Sequence, residues 1–239
     1  MSLTDVLVRK LESIADLSPA DRALVQTLPV TAKRLSAGED LIRQGENPMQ
    51  SVLLIKGVLA RYQELPDGAR QTVSFHFSGE IPDLHTLYIG RMDHSLGAIS
   101  DSIVGLIPHG DLMRVIAASP SLTAILWRET LIDAAIFRQW ITNNGRRGAL
   151  AGTAHLICEF MTRVGAVGEL EPDGSWLIPF TQTELSEALG ISLVHLNRTL
   201  RTLRAQGLVT IERGRLTIGN WEGLRQVAGF DAGYLHLRV

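Results

Sequence analysis

Short runs of apolar and β-branched residues, separated by turns that contain glycine, occupy the chain from about residue 28 to residue 107. Three such runs are Ser51–Ile55, Val58–Tyr62 and Thr72–Phe77. The intervening turns are Ser36–Glu39, Gln44–Glu46, Lys56–Gly57, Pro66–Gly68 and Ser78–Glu80. Glycine suits these positions because it tolerates the positive φ that a chain reversal often requires. Evenly spaced short strands with such turns predict a barrel or jelly roll.

A long helix is predicted after residue 118, because Ser119 can cap its first turn and Pro120 suits its first position. Its apolar belt is too wide for one packing surface, so we expect it to contact both its own barrel and a second subunit. The alternative is a helix buried in one large core. The belt comprises Leu122, Ile125, Leu126, Leu131, Ile132, Ile136, Phe137, Trp140 and Ile141. The predicted dimer contacts are Ile125, Ile132, Ile136 and Trp140.

The segment Asn143–Gly145 predicts the end of this helix and a hinge. A second helical segment follows, and its apolar residues are Leu156, Ile157, Phe160 and Met161. The run Ser175–Phe180 then predicts a short strand.

A helix-turn-helix is predicted immediately after that strand. Residues Thr181–Glu184 form a capping box, which starts a short helix that Gly190 can end. Ser192 is then placed to cap a second helix. Two helices joined by so short a turn are the defining feature of this motif.

The second helix has one apolar and one polar face. Leu196, Leu200 and Leu203 recur at helical spacing and should pack inward. The polar residues that should point outward are His195, Asn197, Arg198, Arg201 and Arg204. Residues 208–218 then predict a hairpin, the wing, on which Arg213 and Arg215 can contact phosphates.

Charge supports this interpretation locally rather than globally. The whole chain has a net charge of −2, whereas five arginines and a single acid, Glu212, lie between Gly190 and Ile218. Such clustering fits an electrostatic footprint on DNA and, equally, a solvated helix face. The uninterrupted order of capped helix, turn, arginine-rich helix and basic hairpin favours DNA binding.

The length of 239 residues and the mixed pattern indicate an α+β protein with two modest domains. Residues 1–118 are expected to form N-terminal helices and a β jelly roll that serves as a sensor domain. Residues 119–145 should form a dimerisation helix, and residues 146–239 a winged helix-turn-helix domain.

Several classes of protein are disfavoured. The single cysteine, Cys158, cannot form an intrachain disulfide or hold an iron–sulfur cluster within one chain. Apolar runs are too short to cross a bilayer, and the N-terminus lacks the order of a signal peptide, so we expect a cytoplasmic protein without a membrane partner. The motifs of common enzyme classes are absent, so no catalytic residue is assigned.

With these features, the chain resembles the Crp/Fnr family of bacterial transcription regulators. The resemblance lies in the glycine landmarks Gly38, Gly45, Gly57, Gly68 and Gly79, and in the run Thr181–Leu200. It implies a cyclic-nucleotide-binding-like jelly roll and an effector-modulated homodimer. It also implies binding to a palindromic operator in double-stranded DNA and contact with RNA polymerase.

By this resemblance, four residues of the motif contact the phosphate backbone: Thr181, Thr183, Ser192 and His195. Arg198 matches the arginine that reads guanine. Val194, preceded by Leu193, stands where the family usually has an acidic residue, and Asn197 can pair with adenine. We therefore expect half-sites different from the TGTGA and TTGAT patterns of the two namesake branches.

The effector region departs from the family pattern. The pair that binds the ribose of cAMP is replaced by Asp83-Leu84, and the pair that binds its phosphate by Met92-Asp93. Asp93 would repel a phosphate unless Arg91 turned inward, which argues against cyclic nucleotides. The candidate effector pocket comprises Gly79, Glu80, Asp83, Leu84, Arg91, Met92, Asp93 and His94.

A metal or a haem remains open as a cofactor of this region, because histidines and carboxylates cluster in it. They are His76, Glu80, Asp83, His85, Asp93 and His94. No metal site is assigned, because the tight ligand spacing of metal motifs is missing. The preferred interpretation is that these residues cap turns, pair with arginines or face solvent.

An alternative function is a ligand-binding or protein-interaction module whose helical tail does not bind DNA. Leu193 and Val194 favour it, because they make the recognition face less polar than usual.

Overall fold

Two antiparallel sheets form the N-terminal half of the chain. The computed structural model describes residues 2–66, 68 and 70–238. Helices α1 (Asp5–Glu12) and α2 (Pro19–Gln26) precede the sheets. The strands are β1 (Thr31–Leu35), β2 (Asp40–Ile42), β3 (Gln50–Lys56), β4 (Leu59–Glu64), β5 (Arg70–His76), β6 (Ser95–Ala98) and β7 (Ser102–Pro108). The sheet orders are β1-β7-β3 and β2-β6-β4-β5, which confirms the predicted β-rich fold of this half, here called the sensor domain after its expected role.

At two positions only glycine fits, because the backbone of another segment lies too close for a side chain. At Gly57, with φ of +100°, an added Cβ would lie 2.9 Å from the carbonyl oxygen of Asp101. At Gly79, with φ of +88°, it would lie 2.5 Å from the carbonyl oxygen of Val6 on α1. Any side chain would therefore push these segments apart. In the predicted turn Pro66–Gly68, Asp67 lies outside the described residues.

The long helix starts as predicted and ends later than predicted. Helix α3 (His109–Ala118) leads into α4 (Pro120–Arg146), and the Ser119 hydroxyl accepts a hydrogen bond from the amide of Leu122. The predicted break at Asn143–Gly145 is slightly misplaced, because α4 continues through these residues and ends at Arg146, one residue past the predicted bound. Asn143 donates to the Gly152 carbonyl and Asn144 to the Ala188 carbonyl. These tertiary hydrogen bonds hold a segment of low helix propensity in the helix.

The four predicted dimer contacts on α4 are wrong. Ile125, Ile132, Ile136 and Trp140 are at most 8% exposed and pack in the cores of their own chain. Buried side chains cannot contact a second subunit. The apolar side chains that α4 exposes are Trp127, Leu131 and Ile141, at 66%, 57% and 72%.

A helical domain with a small sheet follows. Its elements are α5 (Ala149–Ala166), β8 (Trp176–Leu177), α6 (Gln182–Leu189), α7 (Leu193–Ala205), β9 (Val209–Glu212), β10 (Arg215–Ile218) and α8 (Trp221–Ala228). The strand order is β8-β10-β9. The predicted strand Ser175–Phe180 is reduced to two residues, because the Phe180 ring turns away to stack on Phe75.

One core joins the two halves of the chain. Phe75 of β5 packs edge-on against Phe160 of α5, with ring centroids 5.5 Å apart, and stacks on Phe180 at 5.2 Å. Phe77 contacts Phe160 and Trp176 in the same way. The fully buried Cys158 belongs to this core, as expected for a small apolar side chain. Among the described residues, no helix has the length and apolar character that a membrane span requires.

Candidate nucleic-acid interface

Hydrogen bonds fix both ends of the predicted motif. The Thr181 hydroxyl accepts from the Glu184 amide at 3.3 Å, and the Glu184 carboxylate accepts from the Thr181 amide, which completes the capping box. Helix α6 ends at Gly190 in the left-handed region, with φ of 62°. The Ser192 hydroxyl then accepts from the His195 amide at 3.3 Å. The local sequence therefore sets the turn between α6 and α7, as predicted.

Helix α7 separates a buried face from an exposed one. Leu196 and Leu203 are fully buried, and Leu200 is half-buried. The opposite face begins with two exposed apolar residues, Leu193 at 41% and Val194 at 79%. The exposed polar residues of the predicted interface are Thr181, Thr183, Ser192, Arg198, Arg201, Arg204, Arg213 and Arg215. His195 and Asn197 are half-buried.

Besides Thr181 and Ser192, three more of the predicted polar residues have side-chain partners within the chain. The Asn197 side chain donates to the Leu193 carbonyl at 3.0 Å. Arg204 forms an ion pair with Glu212 at 2.6 Å, which links α7 to the wing. Arg215 donates to the Ser175 hydroxyl at 2.7 Å. The guanidinium groups of Arg198, Arg201 and Arg213 have no hydrogen bond or ion pair to any described residue.

The wing is a tight hairpin. Strands β9 and β10 pair in antiparallel register, with Arg215 opposite Glu212, so Arg213 and Gly214 form a two-residue loop. Both have positive φ, 51° and 77°, as a type I′ turn requires. Arg213 is the unusual residue there, because the left-handed region disfavours a side chain with a Cβ. Its charged side chain lies exposed at the tip of the wing.

Part of the predicted effector pocket is instead a buried structural network. The Glu80 carboxylate lies 2.9 Å from the Arg163 guanidinium of α5 and 3.0 Å from His76 Nδ1. Burial opposes its ionisation, but the charges of Arg163 and Lys10 outweigh it and lower the pKa of Glu80. Burial and the charge of Arg61 lower the pKa of His76 to about 4. Glu80 is thus committed to holding the two domains together.

Asp83 and Met92 are buried in the fold as well. The Asp83 carboxylate accepts from the Val52 amide at 2.8 Å, and burial raises its pKa to about 7. Met92 is 1% exposed in the sheet core. The cavity beside Glu80 and Asp133 has a volume of about 20 Å³, room for a single water molecule. The prediction that Gly79, Glu80, Asp83 and Met92 face an effector is therefore wrong.

A larger cavity that the sequence did not reveal lies nearby. Its volume is about 510 Å³. It lies between helix α4 and the segment Leu84–Ile89, which begins with a 3₁₀ turn. Its walls are mostly apolar, comprising Leu84, His85, Leu87, Tyr88, Ile89, Ile116, Thr123, Leu126, Trp127 and Thr130. Of the predicted pocket residues, only Leu84 lines it. Arg91 and Asp93 are exposed, and the His94 side chain is 12% exposed.

Known proteins share both halves of this architecture. The family described as cyclic nucleotide-binding domain matches residues 32–119, and the family described as Crp-like helix-turn-helix domain matches residues 153–227. A probable transcriptional activator of Rhizobium leguminosarum bv. viciae is 25% identical over 183 residues, which cover 77% of this chain and 75% of that protein. The nitrogen fixation regulation protein FixK of Bradyrhizobium diazoefficiens is 23% identical, covering 77% and 76%.

The solved structure of FixK2 from Bradyrhizobium japonicum has the same fold. It matches with a TM-score of 0.77 and 21% identity, and the match covers 86% of this chain and 100% of that one. The match therefore extends over the whole architecture rather than one domain.

Proposed function

This chain belongs to the Crp/Fnr family of transcription regulators, and from that premise we propose that it binds a two-fold symmetric DNA site as a homodimer. The family consists of regulators rather than enzymes, and the helix-turn-helix is its DNA-binding element. The observation that carries the proposal is the exposed, unpaired Arg198 on the outer face of a helix whose start is fixed by Ser192.

Each exposed residue of α7 has a role in this proposal. The Arg198 fork binds the N7 and O6 acceptors of guanine. Leu193 and Val194 contact thymine methyl groups, because neither can accept a hydrogen bond from cytosine. Asn197 can reach adenine only by giving up its bond to the Leu193 carbonyl. Backbone contacts come from Thr181, Thr183, Ser192, His195, Arg201, Arg213 and Arg215, which fix register without reading sequence.

The ion pair between Arg204 and Glu212 has a supporting role. It joins the last turn of α7 to the wing, and it neutralises the only acid between Gly190 and Ile218. The positive charge of Arg198, Arg201 and Arg213 is then uncompensated on this face. We expect this cluster to release counterions from the duplex on binding.

Dimerisation is proposed through a seam on the exposed side of α4. Trp127, Leu131, Ala134, Arg138 and Ile141 follow one another at alternating spacings of four and three residues. This is the spacing of a two-stranded coiled coil, in which a polar residue such as Arg138 can specify register. Because α4 leads directly into the DNA-binding domain, a two-fold axis along it would present two α7 helices to one duplex.

The apolar cavity beside this seam is the proposed place of action for a small-molecule effector. Its volume of about 510 Å³ lies in the range of ligand pockets, and its wall includes Trp127 of the seam. A ligand there would favour one arrangement of α4 over another, and so one spacing of the two α7 helices. RNA polymerase is the partner we propose for activation, and the cytoplasm is the compartment where the chain would meet both.

A DNA titration tests the proposal. Binding of full-length protein to a labelled duplex carrying its selected site is followed by fluorescence anisotropy at several salt concentrations. Arg198→Ala should weaken binding by about 10-fold to 100-fold, the worth of one bidentate base contact. Arg114→Ala, which removes an exposed arginine of α3, is the matched control and should change nothing. Binding that lacks salt dependence, or that Arg198→Ala leaves intact, would support the alternative of a module that does not read DNA.

A further inference from the structure

Two histidines and an aspartate meet at the edge of the sensor domain. His85 lies in the 3₁₀ turn Leu84–Leu87, and Asp93 and His94 lie in the segment just before β6. Each offers one ligand atom, and these atoms lie within 4.8 Å of one another. The two imidazole rings are 5.4 Å apart between centroids.

Both imidazoles present a nitrogen without a partner. His85 Nε2 and His94 Nε2 are shielded from solvent, and neither has a hydrogen bond to any described residue. A buried polar atom without a partner is energetically unfavourable. Two such atoms in neighbouring rings are both available to bind one further group.

The hydrogen bond between Asp93 and His94 prepares the ring to bind a metal. The Asp93 carboxylate accepts from His94 Nδ1 at 2.6 Å. With its proton on Nδ1, the ring keeps its lone pair on Nε2, which is the free nitrogen. A carboxylate behind a histidine in this way fixes the tautomer and raises the basicity of metal ligands.

The local charge and exposure also suit a cation. Arg61, a positive charge that acts on both imidazoles, forms an ion pair with Asp133 at 2.6 Å, which offsets part of its repulsion of a cation. The Asp93 side chain is 84% exposed, so the cluster lies at the protein surface, and side-chain rotations that bring the ligand atoms together would also open the two Nε2 atoms to an ion from solvent. Among transition metals, imidazole nitrogen suits zinc, copper and nickel.

We propose that His85 and His94 bind one divalent transition metal ion of the zinc class through their Nε2 atoms, with Asp93 orienting His94. The ligand atoms now lie within 4.8 Å of one another, and in a tetrahedral zinc site they lie about 3.4 Å apart. Side-chain rotations that move these atoms on the order of 1 Å would form the site. Water fills the remaining positions. The site is independent of the DNA-binding proposal. His85 also borders the apolar cavity, so the metal would stabilise one of its walls.

The test is a metal titration of full-length protein stripped with a chelator. Calorimetry with Zn²⁺ should give one ion per chain, and Co²⁺ should give a visible spectrum typical of nitrogen ligands. His85→Gln and His94→Gln should each weaken Zn²⁺ binding at least 100-fold, and Asp93→Asn 10-fold to 100-fold. The matched control is His236→Asn, which removes an exposed imidazole from the C-terminal segment and should leave binding unchanged.

Two results would overturn the site. One is the absence of stoichiometric Zn²⁺ binding by the wild type, and the other is binding that persists in both histidine variants. Circular dichroism verifies that each variant is folded. Asp93→Asn alters a largely exposed side chain and so decides the question even if a histidine variant unfolds. DNA binding is measured on the same metal-free protein. If the protein binds DNA but not Zn²⁺, the metal site is wrong and the proposed function stands.

Discussion

At the scale of single residues, Arg163 connects the two domains. Its guanidinium contacts Glu80 and the Phe75 carbonyl in the sensor domain, and Glu159 on its own helix. All these groups are buried, so their charges are stabilised by one another rather than by water. Such networks depend strongly on every member, because removal of one partner leaves another charge buried and unpaired.

Replacing Arg163 by methionine should lower the free energy of unfolding by about 3–5 kcal/mol. Urea denaturation followed by circular dichroism measures this loss. Arg114→Met breaks the exposed ion pair with Asp111 and should cost less than about 1 kcal/mol. The double variant Glu80→Gln/Arg163→Met should recover part of the loss. Equal losses in Arg163→Met and Arg114→Met would show that the buried network does not stabilise the fold.

His155 should make stability depend on pH. It is 2% exposed and packs against Phe230 and Tyr234. Burial, and secondarily the charge of Arg147, lower the pKa of its imidazole from 6.5 to about 4. Between these values the unfolded chain binds a proton that the folded chain does not, so stability falls as pH decreases through this window.

The difference in free energy of unfolding between wild type and His155→Gln, measured at each pH, isolates the contribution of His155 from that of other titrating groups. From pH 7 to pH 4.5 the wild type should lose about 2 kcal/mol more than the variant. Denaturant titrations at a series of pH values measure both. A constant difference across this range would mean that the imidazole is not buried in its neutral form.

At the scale of elements, starts and turns were predictable because their signals are local. Ser119, Thr181 and Ser192 cap the helices that follow them within three residues. Gly190 supplies the left-handed conformation that ends α6. The helical conformation of Asn143–Gly145 was not predictable, because it depends on hydrogen bonds from Asn143 and Asn144 to distant parts of the chain.

Two glycine substitutions test this difference. Gly145 lies in α4 without a positive φ and with free space around it, so Gly145→Ala should stabilise the protein by up to about 0.5 kcal/mol. Gly190 also has free space, but its φ is 62°, so Gly190→Ala should destabilise it by about 1 kcal/mol. Thermal unfolding compares them. A loss of stability in Gly145→Ala would instead support a turn at Asn143–Gly145.

The candidate functional sites could likewise be predicted only where the sequence signal was local. The sequence located the exposed face of α7, since Leu196 and Leu203 mark its buried side. It could not show that Glu80 is committed to an arginine of another domain, nor that His85 lies beside His94. Both facts depend on contacts between segments that are distant in sequence.

At the scale of the whole molecule, the exposed seam of α4 should hold two chains together. Leu131 is 57% exposed near its centre, and Leu131→Glu would place two carboxylates against each other across a two-fold axis. We expect this variant to sediment as a monomer at micromolar concentration. Met49→Glu alters a 77% exposed apolar residue of the sensor domain and should leave the dimer intact. A dimeric Leu131→Glu would place the interface elsewhere.

The shared aromatic core links the sensor sheets directly to the DNA-binding domain. Contacts such as that from the Gln71 side chain to the Glu187 carbonyl reinforce this link at the start of the motif. The orientation of α7 is therefore coupled to the N-terminal sheets, and in the proposed dimer it would be coupled through α4 to the partner chain. The proposed DNA binding would therefore require the homodimer rather than a single chain.

Selection of bound sequences from a random duplex library by the full-length protein tests that account most directly. It predicts inverted half-sites whose centres lie about 10 base pairs apart, different from TGTGA and TTGAT, and loss of selectivity at one base pair of each half-site in Arg198→Ala. Recovery of no enriched sequence, or of an identical site by Arg198→Ala, would contradict it.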